Sequence, residues 1–284
     1  MDADDSYGAT IAKRRLAALL AALRAGRGLT AAQVCARLDW GRGKLGRFEM
    51  NRWKRPELSD IRDLLRLYEV DGRTRERVVR LAVLARRRAW WRDYGDVFGT
   101  EYPGFENDAR RIEVYAPLAV PPLLQTPAYA AAHASRLSRS AAWSARMVQA
   151  TLNRQRILCR AGRSAPRVTA VVTEAALLYR WGGPGDRRAQ LCRLIELAGR
   201  PNVEVRLHAF EAGPHPAPPA PLCRLLFTAD DPALLFVDAG HATALVADPG
   251  EAAAQAADLA ATLAGACSPE ETLLRLTEMI NSVD

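Results

Sequence analysis

The sequence predicts an all-α N-terminal domain of five helices followed by a larger C-terminal α/β domain, a mixed sheet with flanking helices. Three observations carry this expectation. The 284 residues exceed what one hydrophobic core usually organises, so two domains are expected. Apolar positions in residues 1–92 recur at helical spacing with no alternating strand pattern, whereas β-branched and apolar runs bounded by turn residues begin only near residue 168. Charge is divided as well. Residues 1–92 hold 22 Lys and Arg against 11 Asp and Glu, a net +11, and residues 93–284 hold 18 against 21, a net −3. Arginine supplies 37 of the 40 basic residues, so compositional bias accounts for its abundance but not for its confinement to one third of the chain. The expected division is a helical domain over 1–92, a linker over 93–110 and an α/β domain over 111–284.

Leu16, Leu19, Leu20 and Leu23 form the first apolar stripe, closed by Gly26 and Gly28. Thr30 opens a second, short helix with Gln33 three residues later, a capping-box spacing in which both side chains satisfy backbone donors. Val34 and Leu38 are its core face. After a break at residues 39–41, residues 42–49 read as a third helix with Leu45 and Phe48 inward and Arg42, Lys44 and Arg47 outward. A basic loop over 51–56 follows, then a fourth stripe of Ile61, Leu64, Leu65 and Tyr68 and a fifth of Val78, Leu81, Ala82 and Ala85. Residues 86–107 mix a charge run, the Trp90–Trp91 pair and a stretch rich in Gly, Pro and acidic residues, the composition of a hinge.

In the second half, helical patterns over 128–137 and 143–159 precede strand candidates at 168–173, 203–209, 222–228 and 234–238, with a weaker one at 242–247. A helix over 187–198 joins the first two strands, and helices over 251–264 and 269–280 close the chain. Leu273, Leu276 and Ile280 mark the buried side of the last.

No run of about 18 apolar residues occurs and residues 1–6 are acidic, so neither a spanning helix nor a secretory signal is expected, and the expected location is the cytoplasm, with no membrane partner. Cys35, Cys159, Cys192, Cys223 and Cys267 form no C-x-x-C pair and read as core thiols. Among His133, His208, His215 and His241 only His208 and His215 are placed to meet, without the further ligands a metal needs. The chain holds no G-x-S-x-G, H-E-x-x-H or phosphate-loop motif, and the glycine-rich stretch 181–185 lacks a Lys-Ser/Thr ending, so neither catalysis nor a cofactor is expected.

Two short helices joined by a tight turn suit a duplex, because the second enters the major groove while the first crosses the backbone. Arg42, Lys44 and Arg47 are the candidates for base contact, since Arg and Lys donate to guanine O6 and N7, and Gly43 would let the backbone approach closely. Thr30 and Gln33, with Arg52, Lys54 and Arg55 in the following loop, are better placed for phosphates, which set register without reading sequence.

The stretch LTAAQVCARLDWGRGKLGRFEMNRWKRP resembles the helix-turn-helix of the XRE, or lambda-repressor-like, family of bacterial regulators, a likeness spanning residues 11 to about 70. Arg42, Leu45, Arg47, Phe48 and Glu49 match that family's pattern. Ala31 stands in place of the usual Gln, Asp39 in place of the turn Gly, and Gly41, Gly43 and Gly46 where Ser or similar residues are usual. The segments RRIEVYAPLAVPPLLQTPAYA, LNRQRIL, VTEAALLYRWGG and ELAGRPNVEVRLHAFEAGPH resemble the domain of unknown function of WhiJ-like actinobacterial regulators. The resemblance implies promoter binding by the basic module and a small neighbour-encoded partner protein, in an arrangement likened to antitoxin and toxin. The expectation is thus a homodimeric transcriptional regulator of the nucleoid that reads double-stranded DNA at a near-palindromic operator. A small partner protein or a small-molecule effector would act through its second domain. The alternative is a small-molecule receptor or antitoxin-like protein-binding module in which DNA binding is secondary.

Overall fold

The computed structural model describes residues 8–53, 56–137, 139–228, 231–238 and 243–283. Lys54 and Arg55, expected at phosphates, lie outside the described residues, as do His241 and the start of the weak strand candidate at 242–247. The chain forms two compact units, residues 1–92 and 93–284.

The first unit contains α1 (Ala9–Gly26), α2 (Ala31–Arg37), α3 (Lys44–Glu49), α4 (Leu58–Leu67) and α5 (Gly72–Ala85). α1 lies along α5, which also receives α4, while α2 and α3 pack on each other. The expected stripes supply the core: Leu16, Leu20, Val34, Leu45, Ile61, Leu64, Leu65 and Leu81 are buried, each stabilising the fold by about 1.5–3 kcal/mol over exposure. Leu19 and Leu23 are half-buried at the edge of that core.

The helix ends share one device. α1 closes with Gly28 at φ +65° and the Leu29 N–H donating to the Arg24 carbonyl. α2, α3 and α4 close the same way on Asp39 (φ +52°), Asn51 (φ +59°) and Glu69 (φ +47°), with Trp40, Arg52 and Val70 donating to the carbonyls of Cys35, Arg47 and Leu65. Such a left-handed residue after the last helical turn satisfies carbonyls that the helix itself cannot. At the other end of α2, the Thr30 hydroxyl accepts from the Gln33 N–H at 3.2 Å and the Gln33 side chain accepts from the Thr30 N–H at 2.8 Å, the expected capping box. The third helix departs from expectation: it begins at Lys44, not Arg42, because Gly43 takes φ +80° as its N-cap. Of the two glycines within the expected helix, Gly43 and Gly46, only Gly46 lies inside it, so the propensity cost of about 1 kcal/mol is incurred once.

The second unit runs α6 (Gly95–Phe98), α7 (Tyr102–Asp108), β1 (Arg111–Ala116), α8 (Pro127–Ser135), α9 (Ala141–Gln155), β2 (Arg167–Thr173), α10 (Glu174–Leu178), α11 (Pro184–Ala198), β3 (Val203–His208), β4 (Leu222–Leu226), β5 (Leu234–Asp238), β6 (Thr243–Leu245), α12 (Pro249–Ala264) and α13 (Pro269–Asn281). These strands form a mixed sheet in the order β3-β2-β1-β4-β5-β6. β1, β2 and β3 are parallel, and β4, β5 and β6 continue from β1 antiparallel. α11 and α13 pack on β3 and on each other. Tyr115, Val171, Leu222, Leu235 and Leu259 build one core cluster that joins the sheet to α12.

Two features of this unit correct the sequence reading. The centre of the sheet is β1, which was not expected, since Arg111 and Glu113 interrupt its apolar run. Those charges are matched locally: Glu113 pairs with Arg111 at 2.8 Å and with its register partner Arg224 at 3.2 Å. The stretch 93–110, expected as a linker, folds with the second unit. Pro103 sits in the first turn of α7, where a missing N–H is harmless. Tyr102, Phe105 and Glu106 on the same helix are buried. The acidic residue that suggested solvated chain is 1% exposed because the Arg154 side chain reaches it with two hydrogen bonds of 2.7 Å.

At the end of β3 the two histidines expected to meet do so, their ring centres 4.6 Å apart, with His215 Nε2 3.0 Å from the Tyr115 hydroxyl. Burial, and next the His215 ring, hold His208 below the ordinary 6.5, and burial also lowers His133. Between a lowered folded pKa and the unfolded value the folded chain binds fewer protons, so this contribution to stability is complete above the unfolded pKa and is lost as pH falls below it. The denaturation midpoint of the second unit is therefore expected to drop on acidification from about pH 7 to about pH 5, and His208→Gln should flatten the drop. An unchanged slope in that variant would assign the effect elsewhere.

Candidate nucleic-acid interface

The segment from Thr30 to Arg52 is organised around α3, which is only six residues long and owes its position to tertiary contacts. Leu45 and Phe48 face the core. The Phe48 ring lies between Trp40, stacked at 6.0 Å, and Trp53 at 5.7 Å, and the Trp53 indole N–H donates to the Phe48 carbonyl at 3.0 Å. At the far end of α3, Glu49 accepts two hydrogen bonds from Arg24 of α1, at 2.6 and 2.9 Å, while a third from the same guanidinium goes to the Leu29 carbonyl at 2.7 Å. The hydrogen bond to Glu49 raises the Arg24 pKa further. A planar fork of this kind fixes direction as well as distance.

The expected contact residues separate into three groups. Arg42 and Arg47 are exposed, one in the turn before α3 and one in its last turn, and neither has an ion-pair or hydrogen-bonding partner among the described residues. Arg47 folds back over Gly43: its Nη1 lies 3.9 Å from where a side-chain carbon at Gly43 would stand. Gly43 is thus required by its left-handed backbone and sits beneath an arginine head. Arg52, also exposed and unpartnered among the described residues, follows the left-handed Asn51. Lys44 is different. Its ammonium donates to Asp60 of α4 at 2.7 Å and lies over the Trp40 ring at 4.1 Å, so it ties α3 inward rather than presenting its charge outward. Thr30 and Gln33 are exposed, but the capping box already uses the threonine hydroxyl as acceptor and the glutamine oxygen. What remains to donate outward is the threonine O–H and the Gln33 amide nitrogen.

Sequence reading missed the Arg24–Glu49 fork and the Asp60 anchor, because each joins residues sixteen or more positions apart. The one available signal was that Glu49 closes the matched stretch without an obvious exposed role.

Chemically, the site offers guanidinium groups with free donors, which suit the O6 and N7 acceptors of guanine or phosphate oxygens without first breaking an internal ion pair. The first unit is a helix-turn-helix domain, the fold of a DNA-binding regulator: a family model described as a helix-turn-helix domain matches residues 15–78. A second model, described as domain of unknown function (DUF5753), matches residues 100–278, more than half of the chain, and the chain belongs to that family. No curated protein and no solved structure gives a significant match. Among the described residues no helix is long and apolar enough to cross a membrane.

Proposed function

We propose that the protein is a sequence-specific transcriptional regulator that sets α3 into the major groove, with Arg42 and Arg47 reading bases and Arg52, Thr30 and Gln33 at phosphates. The observation that carries this reading is the pair of exposed arginines, unpartnered among the described residues, at the two ends of a helix anchored from its other side, within a unit of net charge +11. It acts as a homodimer on a near-palindromic site, with half-sites about one DNA turn apart. It works in the cytoplasm at the nucleoid, is not an enzyme, and is modulated through its second unit.

A genome-wide map of bound DNA supplies the operator, and gel shifts on that operator test the residues. Arg42→Ala and Arg47→Ala should each weaken specific binding by about 5- to 150-fold, equivalent to about 1–3 kcal/mol. Arg52→Ala should weaken all sequences alike and lower the salt slope by about one. Lys44→Met should lower the stability of the first unit with base preference unchanged, since its charge is spent on Asp60. Full operator affinity in the Arg42→Ala, Arg47→Ala double variant refutes the assignment.

A further inference from the structure

The second unit carries a cavity of about 550 Å³, open to solvent, whose lining includes Phe98, Gln125, Trp143, Met147, Thr151 and Arg154. Three polar residues among them are almost wholly buried: Thr151 is 2% exposed, Gln125 4% and Arg154 8%. Each keeps one polar atom without a hydrogen bond among the described residues. Arg154 gives Nε and Nη2 to Glu106, leaving Nη1. Gln125 gives Nε2 to the Val120 carbonyl at 2.8 Å, leaving Oε1, and the Thr151 hydroxyl has no partner. None of these three atoms is among those sealed from solvent, and all three residues line the cavity.

The three belong together. Thr151 and Arg154 are three residues apart on α9 and share a face. Gln125 is held to the same helix because Gln155 donates to its carbonyl at 2.8 Å. Ligand cavities carry a small number of placed polar groups on an otherwise apolar wall, and three polar atoms committed to nothing else among the described residues form such a set. The Val120 carbonyl fixes which way the Gln125 amide points, so its free atom is an acceptor that needs a donor. Arg154 Nη1 supplies the opposite requirement, a donor that needs an acceptor. Phe98, Trp143 and Met147 provide apolar wall.

We infer that this cavity binds a small molecule whose amide or lactam head, with adjacent C=O and N–H, meets Arg154, Thr151 and Gln125 and whose apolar body lies along Trp143 and Met147. A carboxylate would set an acceptor against Gln125 Oε1, and an ester would leave that oxygen unmet. The effector role of such a ligand, though not the cavity, rests on reading the second unit as the sensing part of a regulator.

The test uses the full chain and three probes with one body: 3-phenylpropionamide, 3-phenylpropionate and methyl 3-phenylpropionate, titrated by ligand-observed NMR. The amide should bind about two- to tenfold more tightly than the acid or the ester, the range of a single hydrogen bond. Thr151→Val should weaken the amide by a similar factor while leaving the apo protein about as stable, because the hydroxyl holds no other group among the described residues. Met147→Trp, which fills the cavity, should abolish binding. Equal affinity for the three heads, undiminished binding in Met147→Trp, or no binding of the amide at its solubility limit overturns the inference. Gel shifts on the same preparations separate the two readings: operator binding without amide binding sinks the cavity assignment alone, and the reverse sinks the regulator.

Discussion

Arg154→Met is expected to destabilise the second unit by about 3–5 kcal/mol, enough to unfold much of it at moderate temperature, by stranding a buried carboxylate. Glu106 is 1% exposed and its two strongest partners are Arg154 Nε and Nη2, each at 2.7 Å, with the Tyr102 hydroxyl donating at 2.8 Å. Burial alone would lower the guanidinium pKa, but Glu106 more than offsets it and the net shift is upward. Burial also raises Tyr102 well above its usual range and pushes the neighbouring Cys223 thiol up to about 12, so this cluster keeps one fixed charge pair among neutral groups. Removing both charges, as in Glu106→Leu with Arg154→Met, should recover most of the loss, since a buried pair replaced by apolar residues is often close to neutral. The check is a double-mutant cycle followed by amide exchange in β1 and α9. A double variant as unstable as the single would mean that α9 depends on the arginine for packing rather than for charge.

The second large effect belongs to Glu49. Glu49→Ala removes the acceptor of the Arg24 fork, which ties the end of α3 to α1 with both side chains less than a quarter exposed. A partly buried, charge-assisted pair of this geometry contributes about 1.5–3 kcal/mol, and its loss should fall on the first unit alone. α3 has too few residues to hold itself, so operator affinity should fall by about tenfold or more although Glu49 touches no DNA. Glu49→Gln keeps one hydrogen bond and should lie between. Exchange rates of the α3 amides, measured beside gel shifts, distinguish this from a loss of base contact: Arg47→Ala should weaken binding with those rates unchanged.

The first unit was legible in the sequence because its information is local. Helical spacing placed Leu16, Leu20, Ile61, Leu64 and Leu81 in the core, and the Thr30–Gln33 spacing foretold a capping box that exists. The exposure of Arg47 follows from the same period, whereas Arg42 is exposed in the turn before α3. Lys44 was expected to face outward with them and does not, because its fate depends on Asp60, which only the tertiary fold brings within reach. In the second unit four strands and the long helices could be read from composition. β1 and α7 could not, and for one reason: each carries charges that look solvated until a partner across the fold, Arg224 or Arg154, neutralises them. The cavity had no sequence signature, because its three open atoms come from residues otherwise ordinary in a helix or a loop.

Three helices of the first unit stop on Asp39, Asn51 and Glu69, residues with a side chain forced into a backbone region that costs about 1–2 kcal/mol where glycine would sit freely. Two of them bracket α3. The segment between is therefore spring-loaded: strain at both hinges subtracts from the work of lifting it off the rest of the unit, so it should unlatch before α1, α4 and α5 lose their structure.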